Sequence, residues 1–246
     1  MESVVDPVGE GRRIVEAAAE REVPLRALGG VAVALTCPSA QQPPLAREYA
    51  DIDLATTGSA KNQVVSLLES LGYTGDKEFN MLHGHRRLYF WDERARRQVD
   101  VFVDEANLCH RIDLKRRLEV VPLTLPLADL TVLKLQVVET NEKDLLDICA
   151  LFADHNLTAD ESGINITYLA DLTASDWGLW RTLGMVSDRS EQFALELPEF
   201  DAAELVAERL RRLREELEAV PKSRGWKLRA RIGDRKRWYE LPEEVG

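Results

Sequence analysis

The sequence contains few cysteines, and their spacing is not typical of a cross-linked or zinc-stabilised domain. Cys37, Cys109 and Cys149 are far apart and include no CxxC pair. An odd number of separated cysteines predicts neither a disulfide framework nor a structural zinc site. We therefore interpret all three as reduced thiols.

Long apolar runs are also missing. The longest, such as residues 31–35 and 99–103, are much shorter than the roughly 20 apolar residues of a membrane-spanning helix. The N-terminal stretch MESVVDPVGEGRR lacks the basic start and apolar block of a secretory signal. We therefore expect a cytoplasmic protein with no membrane partner.

Several common catalytic motifs are absent from the sequence as well. It has no GxSxG, P-loop or GxGxxG pattern, which disfavours a hydrolase, a P-loop kinase and a Rossmann dehydrogenase. Adjacent side chains point apart, so Cys109 and His110 do not predict a nucleophile–base dyad. His83 and His85 flank Gly84 without a third zinc ligand at a typical spacing. We interpret that segment as a loop before a strand.

The composition is that of a folded protein of one to two domains. The 246 residues are 45% hydrophobic and 30% charged. Helical and alternating patterns are mixed before residue 126, whereas helical patterns dominate after it. These patterns predict an α/β (α+β) domain over residues 1–125, a helical domain over 126–220 and a basic tail over 221–246. The predicted helices are 10–22, 61–71, 127–139, 142–155, 164–172, 177–197 and 201–220, and the predicted strands are 49–55, 87–91 and 99–103.

Charge is distributed unevenly along the chain. The formal charge of −11 at pH 7 argues against a protein that coats nucleic acid over its whole surface. Residues 222–237, however, hold eight basic residues and one acidic residue, a net charge of +7 that leaves −18 for the remainder. Aromatic residues accompany this segment at Trp226, Trp238 and Tyr239. Such a mixture is typical of surfaces that contact phosphates and stack bases; a solvated tail covering an acidic patch is the alternative.

Three aspartates fall on predicted strands at positions that suit metal binding. Asp51 and Asp53 are two residues apart, so a strand would project both from one face. Asp100 interrupts the apolar strand QVDVFV, and a buried carboxylate is costly unless it is paired or binds a metal. Gly29 and Gly30, which open an apolar helix, leave room for phosphates beside backbone N–H groups. Mg²⁺ is usually held by one or two carboxylates plus nucleotide phosphates, and two-metal sites add a third acid.

The combined motifs resemble a known superfamily. The stretches LGGVAVAL, Arg47 followed by ADIDLA, and QVDVFVDE are similar to the nucleotidyltransferase superfamily of the polymerase-β type. The following stretch PLADLTVLKLQVVETNEKDLLDI is similar to the AbiEii/MenT-type branch of bacterial nucleotidyltransferase-like toxins. The resemblance covers roughly residues 25–152. It requires residues 37–44 to loop out, because twenty residues separate Gly30 from Asp51.

The resemblance implies a fold, a reaction and roles for particular residues. It implies a mixed sheet with flanking helices, and transfer of a nucleoside monophosphate from an NTP to an acceptor hydroxyl with Mg²⁺ or Mn²⁺. An RNA such as tRNA, reached through the basic tail, is the favoured acceptor, and an antitoxin protein is an expected partner. Asp51, Asp53 and Asp100 would hold the metal, with Asp100 also expected to take the acceptor proton. The nucleotide contacts implied are Gly29, Gly30, Arg47, Lys134, Asp144 and Asp147, with Lys134 on the phosphates.

Two alternative functions fit the same residues. One is a small-molecule nucleotidyltransferase of the aminoglycoside-modifying kind, with the tail used for self-association. The other is an inactive nucleotide-binding protein of the same fold, in which the aspartates pair with Arg47, Arg86 or Arg87. In an active protein, Arg86 and Arg87 are instead expected to face a phosphate.

Overall fold

The computed structural model describes residues 6–241. The predicted ranges 1–125 and 221–246, and the N-terminal stretch MESVVDPVGEGRR, therefore extend beyond the described residues. The helices are α1 (Pro7–Ala19), α2 (Gly29–Thr36), α3 (Lys61–Ser70), α4 (Lys77–His83), α5 (Leu127–Leu135), α6 (Glu142–Asp154), α7 (Ile166–Ser175), α8 (Trp177–Glu196), α9 (Ala203–Ala219) and α10 (Arg224–Ile232). The strands are β1 (Leu25–Leu28), β2 (Ile52–Thr56), β3 (Thr74–Gly75), β4 (Arg87–Asp92), β5 (Arg97–Val103), β6 (Glu105–Asn107), β7 (Arg111–Asp113), β8 (Leu157–Thr158) and β9 (Ile164–Asn165).

The chain divides into two compact units. The first comprises the residues up to Thr36 together with Arg47–Ala106 and Ile112–Pro126. The second comprises Cys37–Ala46, Asn107–Arg111 and the residues from Leu127 onward.

A five-stranded mixed sheet with flanking helices forms the first unit, as predicted. Its strand order is β1-β2-β5-β4-β3. Strand β2 runs parallel to β5, whereas the β1–β2, β5–β4 and β4–β3 pairs are antiparallel. The predicted strands 87–91 and 99–103 are confirmed as β4 and β5, which pair antiparallel as a hairpin with a short turn.

The two faces of this sheet differ in chemistry. Ile52, Leu54, Val99 and Val101 alternate onto one face and are completely buried. Helices α1 and α2 pack against that face: a Cβ atom at Gly11 of α1 would lie within 4 Å of the Val31 and Ile52 side chains. The intervening residues, including two aspartates, project from the opposite face.

The predicted boundaries differ from the structure where caps and ladder partners decide them. Helix α1 begins at Pro7, earlier than predicted, because the Asp6 side chain accepts hydrogen bonds from two backbone N–H groups of its first turn. It ends at Ala19, before Pro24. Strand β2 begins only at Ile52, not at residue 49, since its pairing with β5 starts at Ile52, opposite Val99, and its pairing with β1 reaches only Asp53.

Two short helices are missing from the prediction. The segment around His83 was expected to be a loop, but it forms α4, whose first turn is capped by the Asp76 side chain accepting from Phe79 N–H. In the tail, Ser223 caps α10 in the same way, and Gly233 ends it with a φ of +61°. Both helices are too short for their apolar spacing to stand out against the surrounding polar residues.

The second unit is largely helical, as expected. Helix α6 matches the prediction closely because Asn141 and Asp144 form a reciprocal capping box at its start. The predicted helix 164–172 is shifted, since Ile164 and Asn165 pair with β8 and α7 begins after them. Among the described residues, none of the helices is both long and apolar enough to cross a bilayer.

Candidate active site

Asp53 and Asp100 are neighbours across the sheet. Strands β2 and β5 run in parallel, and their register places Asp53 directly opposite Asp100. Because opposed residues of adjacent strands share a face, both carboxylates project from the sheet on the same side. Asp100 is 1% exposed, whereas Asp53 is partly accessible. The structure therefore brings together two of the three predicted metal ligands.

Asp51 lies outside the strand. It precedes β2 and is exposed. The expectation that Asp51 and Asp53 lie on one strand is therefore wrong, because the pairing of β2 with β5 begins only at Ile52.

The predicted glycine pair, Gly29 and Gly30, lies against two other predicted site residues of the first unit. Gly29 has a φ of +67°, and a Cβ atom there would lie only 2.1 Å from Oδ2 of Asp53. A Cβ atom at Gly30 would lie 2.1 Å from Nη2 of Arg47. The Arg47 guanidinium also stacks over the Tyr49 ring at 4.1 Å. A side chain at either position would therefore displace a charged group, which explains why both residues are glycine.

Asp100 is engaged by two side chains of its own sheet. The Nε atom of Arg87 donates to Oδ1 at 2.8 Å, and Nε2 of Gln98 donates to Oδ2 at 2.5 Å. Arg87, which was expected to face a phosphate, instead compensates this buried carboxylate. Gln98 was not singled out from the sequence, although its position two residues before Asp100 on β5 places it on the same face. Burial and the nearby Asp100 charge raise the pKa of Tyr89, the residue opposite Asp100 on β4.

The carboxylate pair fits a cation that a nucleotide helps to hold. Within residues 6–241, no group of three or more His, Cys, Asp or Glu side chains is arranged to bind a metal ion. Mg²⁺, however, is usually held by one or two carboxylates, with substrate phosphates and water completing the octahedron. The juxtaposition of Asp53 and Asp100, with a glycine backbone against Asp53, supplies such a partial set.

The remaining predicted residues meet in the second unit. The Nζ atom of Lys134 on α5 lies 2.8 Å from Oδ2 of Asp147 and 3.0 Å from Oδ1 of Asp144, both on α6. Lys134 is 13% exposed and Asp147 is 1% exposed. Burial acts to lower the pKa of Lys134, but the Asp147 and Asp144 carboxylates outweigh it and raise that pKa overall. This arrangement keeps the ammonium charged within a protein interior.

The aromatic residues of the tail pack within their own unit. The Trp226 ring lies 5.2 Å from that of Trp180 on α8, edge to face. The Trp238 ring lies 5.8 Å from that of Trp177, and its Nε1 donates to the Thr182 hydroxyl at 3.0 Å. The indole rings of Trp226 and Trp238 therefore pack on α8 and do not form an exposed base-stacking surface.

The basic residues of the tail remain largely accessible. Six of its eight cations are exposed, and they are Arg224, Lys227, Arg231, Arg235, Lys236 and Arg237. The tail therefore presents exposed basic residues, but its two indoles are packed inside the unit.

The histidines near Gly84 and the Cys109–His110 pair, which the sequence did not favour as a zinc site or a catalytic dyad, make other contacts. The rings of His83 and Phe79 stack with centroids 4.8 Å apart. His110 is buried, with Nε2 2.8 Å from the Thr182 hydroxyl, and burial lowers its pKa. The Cys109 Sγ atom instead accepts from Val138 N–H at 3.5 Å, so the adjacent Cys and His engage different partners.

Comparison with known proteins finds a distant likeness among solved structures. No protein-family model and no curated protein matches the sequence. Among solved structures, the chain is similar to a candidate nucleotidyltransferase from H. pylori, with 13% identity and a TM-score of 0.39. The match covers 86% of this chain and 95% of that chain. A likeness this distant does not establish the activity of the chain, which has to be argued from its own residues.

Proposed function

We propose that the chain is a Mg²⁺-dependent nucleotidyltransferase that transfers a nucleoside monophosphate from an NTP to an acceptor hydroxyl. The observation that carries this proposal is the Asp53–Asp100 pair across β2 and β5, with Gly29 directly against the Asp53 carboxylate. Adjacent carboxylates beside a side-chain-free turn suit a cation bound together with phosphates. The motif resemblance described above supports the same reaction.

The reaction itself requires charge neutralisation and alignment. The acceptor oxygen attacks the α-phosphorus, the bond from that phosphorus to the pyrophosphate oxygen breaks, and pyrophosphate leaves. Asp53 and Asp100, with Asp51, would hold Mg²⁺ or Mn²⁺, which neutralises phosphate charge when bound. The hydroxyl proton would pass to Asp100, whose two oxygens each accept one hydrogen bond, from Arg87 and from Gln98, and keep a further lone pair.

Gly29 and Gly30 would admit the triphosphate, while Arg47 would contact it from the adjoining segment. Lys134 is assigned to the phosphates, and Asp144 and Asp147 to the sugar or base. Two carboxylates already share the Lys134 ammonium, so a phosphate would take its third N–H donor or replace one of them. Lys134 also has a structural role, so the effect of its substitution on folding must be measured separately from the effect on nucleotide binding.

RNA is the acceptor that we favour. The exposed cations of α10 and the residues after it form a surface that suits a phosphate backbone. We extend the proposal to a tRNA-modifying, toxin-like enzyme with an antitoxin partner on the motif resemblance. A small hydroxyl compound of the aminoglycoside kind is the alternative acceptor. The packing of the tail indoles on α8 argues against base stacking as the way in which RNA would bind.

Labelled transfer tests the proposal directly. The protein is incubated with each α-labelled NTP, Mg²⁺ and either total RNA or aminoglycosides, and the labelled product is identified. We expect Asp53→Asn to abolish transfer while leaving the fold intact or slightly more stable, because it removes repulsion between adjacent carboxylates. Wild-type turnover in Asp53→Asn would contradict the metal assignment, and label in an aminoglycoside alone would exclude the RNA acceptor.

A second candidate is favoured by the Arg87–Asp100 ion pair. A protein without catalytic activity would need to neutralise the buried Asp100 permanently, and Arg87 does this at 2.8 Å. Such a protein would bind NTP without transferring label. Isothermal titration of NTP, with and without Mg²⁺, into wild type and Asp53→Asn distinguishes the two, since a Mg²⁺-dependent heat that disappears in Asp53→Asn supports the enzyme.

A further inference from the structure

The environment of Asp100 indicates how many cations the site takes. Three carboxylates in a nucleotidyl-transfer site suggest two ions roughly 3.5–4 Å apart. Here the third carboxylate already has a cation beside it, because Arg87 Nε lies 2.8 Å from Asp100 Oδ1. We propose that the Arg87 guanidinium stands in for a second divalent cation, so that Asp53 and Asp100 hold a single ion between them. This inference rests on the proposed function.

The Arg87 guanidinium is held in place from two directions. Strand β4 carries Arg87 opposite Phe102, two residues beyond Asp100 on β5. The guanidinium carbon lies 5.1 Å from the centroid of the Phe102 ring, so the cation also packs on an aromatic face. Its side chain is only 26% exposed. A long side chain fixed in this way behaves as part of the site rather than as a solvated surface charge.

The second oxygen of Asp100 is occupied as well. Gln98 Nε2 donates to Oδ2 at 2.5 Å, so each oxygen of the carboxylate has a donor from its own sheet. Each oxygen keeps a further lone pair, but a second divalent cation at Asp100 would lie beside the Arg87 guanidinium, and like charges at that separation repel.

Charge balance supports the same conclusion. A carboxylate that is 1% exposed needs a compensating cation, and Arg87 provides it before any ligand binds. Asp53 lies opposite Asp100, and a Cβ atom at Gly29 would touch its Oδ2 atom. Arg87 therefore already compensates one negative charge of the carboxylate pair, which leaves less charge for divalent cations to neutralise.

Counting bound Mn²⁺ tests this inference without measuring activity. Mn²⁺ is titrated into the full-length protein with a non-hydrolysable NTP, and free Mn²⁺ is followed by electron paramagnetic resonance. We expect about one Mn²⁺ per chain in wild type and about two in Arg87→Gln, which keeps a hydrogen-bond donor but removes the charge. Arg87→Lys keeps the cation and should restore a count of about one.

Arg94 provides the matched control, since it is exposed in the turn between β4 and β5 and does not belong to the Asp100 pair. Arg94→Gln should retain the wild-type count. A count of about two in wild type, or no increase in Arg87→Gln, would overturn the inference. If Arg87→Gln does not fold, the wild-type count decides alone: about one supports the inference, and any other value rejects it.

The outcomes for the inference and for the proposed function are separable. A wild-type protein that transfers label yet binds about two Mn²⁺ per chain would reject the single-ion site and keep the enzyme. A protein that shows the expected counts but transfers no label to any acceptor would reject the enzyme and keep the role of Arg87.

Discussion

The Nζ atom of Lys134 lies 2.8 Å from Oδ2 of Asp147, joining α5 to α6 through a nearly buried ion pair. Each of these residues was expected to contact a nucleotide. Their mutual contact adds a structural role, because a carboxylate that is 1% exposed depends on its partner. The loss of either residue should therefore affect stability as well as any binding.

Lys134→Ala should destabilise the protein by about 3–5 kcal/mol, the usual cost of leaving one member of a buried pair without its partner. The free energy of unfolding from urea denaturation measures this change. Lys143→Ala is the matched control, since Lys143 is exposed on the same α6 helix. An equal loss in both variants, or none in Lys134→Ala, would show that the buried pair does not contribute to stability.

NTP affinity of the same two variants separates binding from folding. Below the temperature at which Lys134→Ala unfolds, the proposal expects weaker NTP binding in that variant and unchanged binding in Lys143→Ala. Unchanged affinity in folded Lys134→Ala would remove Lys134 from the nucleotide site.

Gly29→Ala should impair nucleotidyl transfer far more than it impairs folding. A non-glycine residue at a φ of +67° costs about 1–2 kcal/mol, and the added Cβ must also displace the Asp53 carboxylate 2.1 Å away. A misplacement of about 1 Å can reduce a rate about 100-fold. Turnover with a labelled NTP and thermal unfolding measure the two effects.

Gly72→Ala controls for backbone strain. Gly72 also has a positive φ, +96°, but a Cβ atom there would meet nothing within 4 Å. We expect Gly72→Ala to lose stability and to keep transfer activity. If both alanine variants lost activity equally, the contact between Gly29 and Asp53 would have no special role.

Glu10 should contribute to stability in a pH-dependent way. It accepts hydrogen bonds from the Arg13 guanidinium, at 2.6 and 2.8 Å, and from the Tyr73 hydroxyl. The Arg13 hydrogen bond lowers the pKa of Glu10, against the opposing effect of burial. The unfolded chain therefore binds this proton more readily, so the stabilisation is complete above about pH 4.3 and is lost as the pH falls through the lower folded pKa.

Glu10→Gln should accordingly be less stable than wild type at neutral pH and should lose less further stability on acidification. Denaturant unfolding at several pH values between about 3 and 7 measures the difference. Glu16→Gln on the same helix, where the side chain is 61% exposed, should reproduce the wild-type profile. Parallel profiles for Glu10→Gln and wild type would contradict the role given to Glu10.

Removal of three exposed cations from α10 should weaken RNA binding. Arg224, Lys227 and Arg231 are spaced to share one helix face. Their combined replacement by Gln should lower affinity for RNA across sequences. It should also reduce the slope of the salt dependence by about one for each phosphate that the variant no longer neutralises. Filter binding at several salt concentrations measures both quantities.

Replacement of Lys77, Arg94 and Arg116 by Gln gives a control with the same change in net charge. These residues are exposed and belong to the first unit. Equal loss of RNA affinity in the two triple variants would mean that net charge, rather than the α10 face, determines binding.

Much of the fold could be predicted from local patterns. The start of α2 at the glycine pair, the β4–β5 hairpin and the capped helix α6 follow from residues close in sequence, because turn conformation, strand alternation and capping are local effects. Helices α4 and α10 were missed because a helix of a few turns presents little periodicity. The predicted start of β2 was wrong because pairing with the distant strand β5, which begins at Ile52, decides it.

The residue types of the candidate site were determined by the sequence alone. A carboxylate within QVDVFV had to be compensated, since its flanking residues commit the strand to burial. Only the tertiary structure decided what compensates it. Strand pairing placed Asp53 opposite Asp100 and brought Arg87 from the antiparallel neighbour within 2.8 Å, and such contacts depend on register between distant segments, which no local pattern encodes.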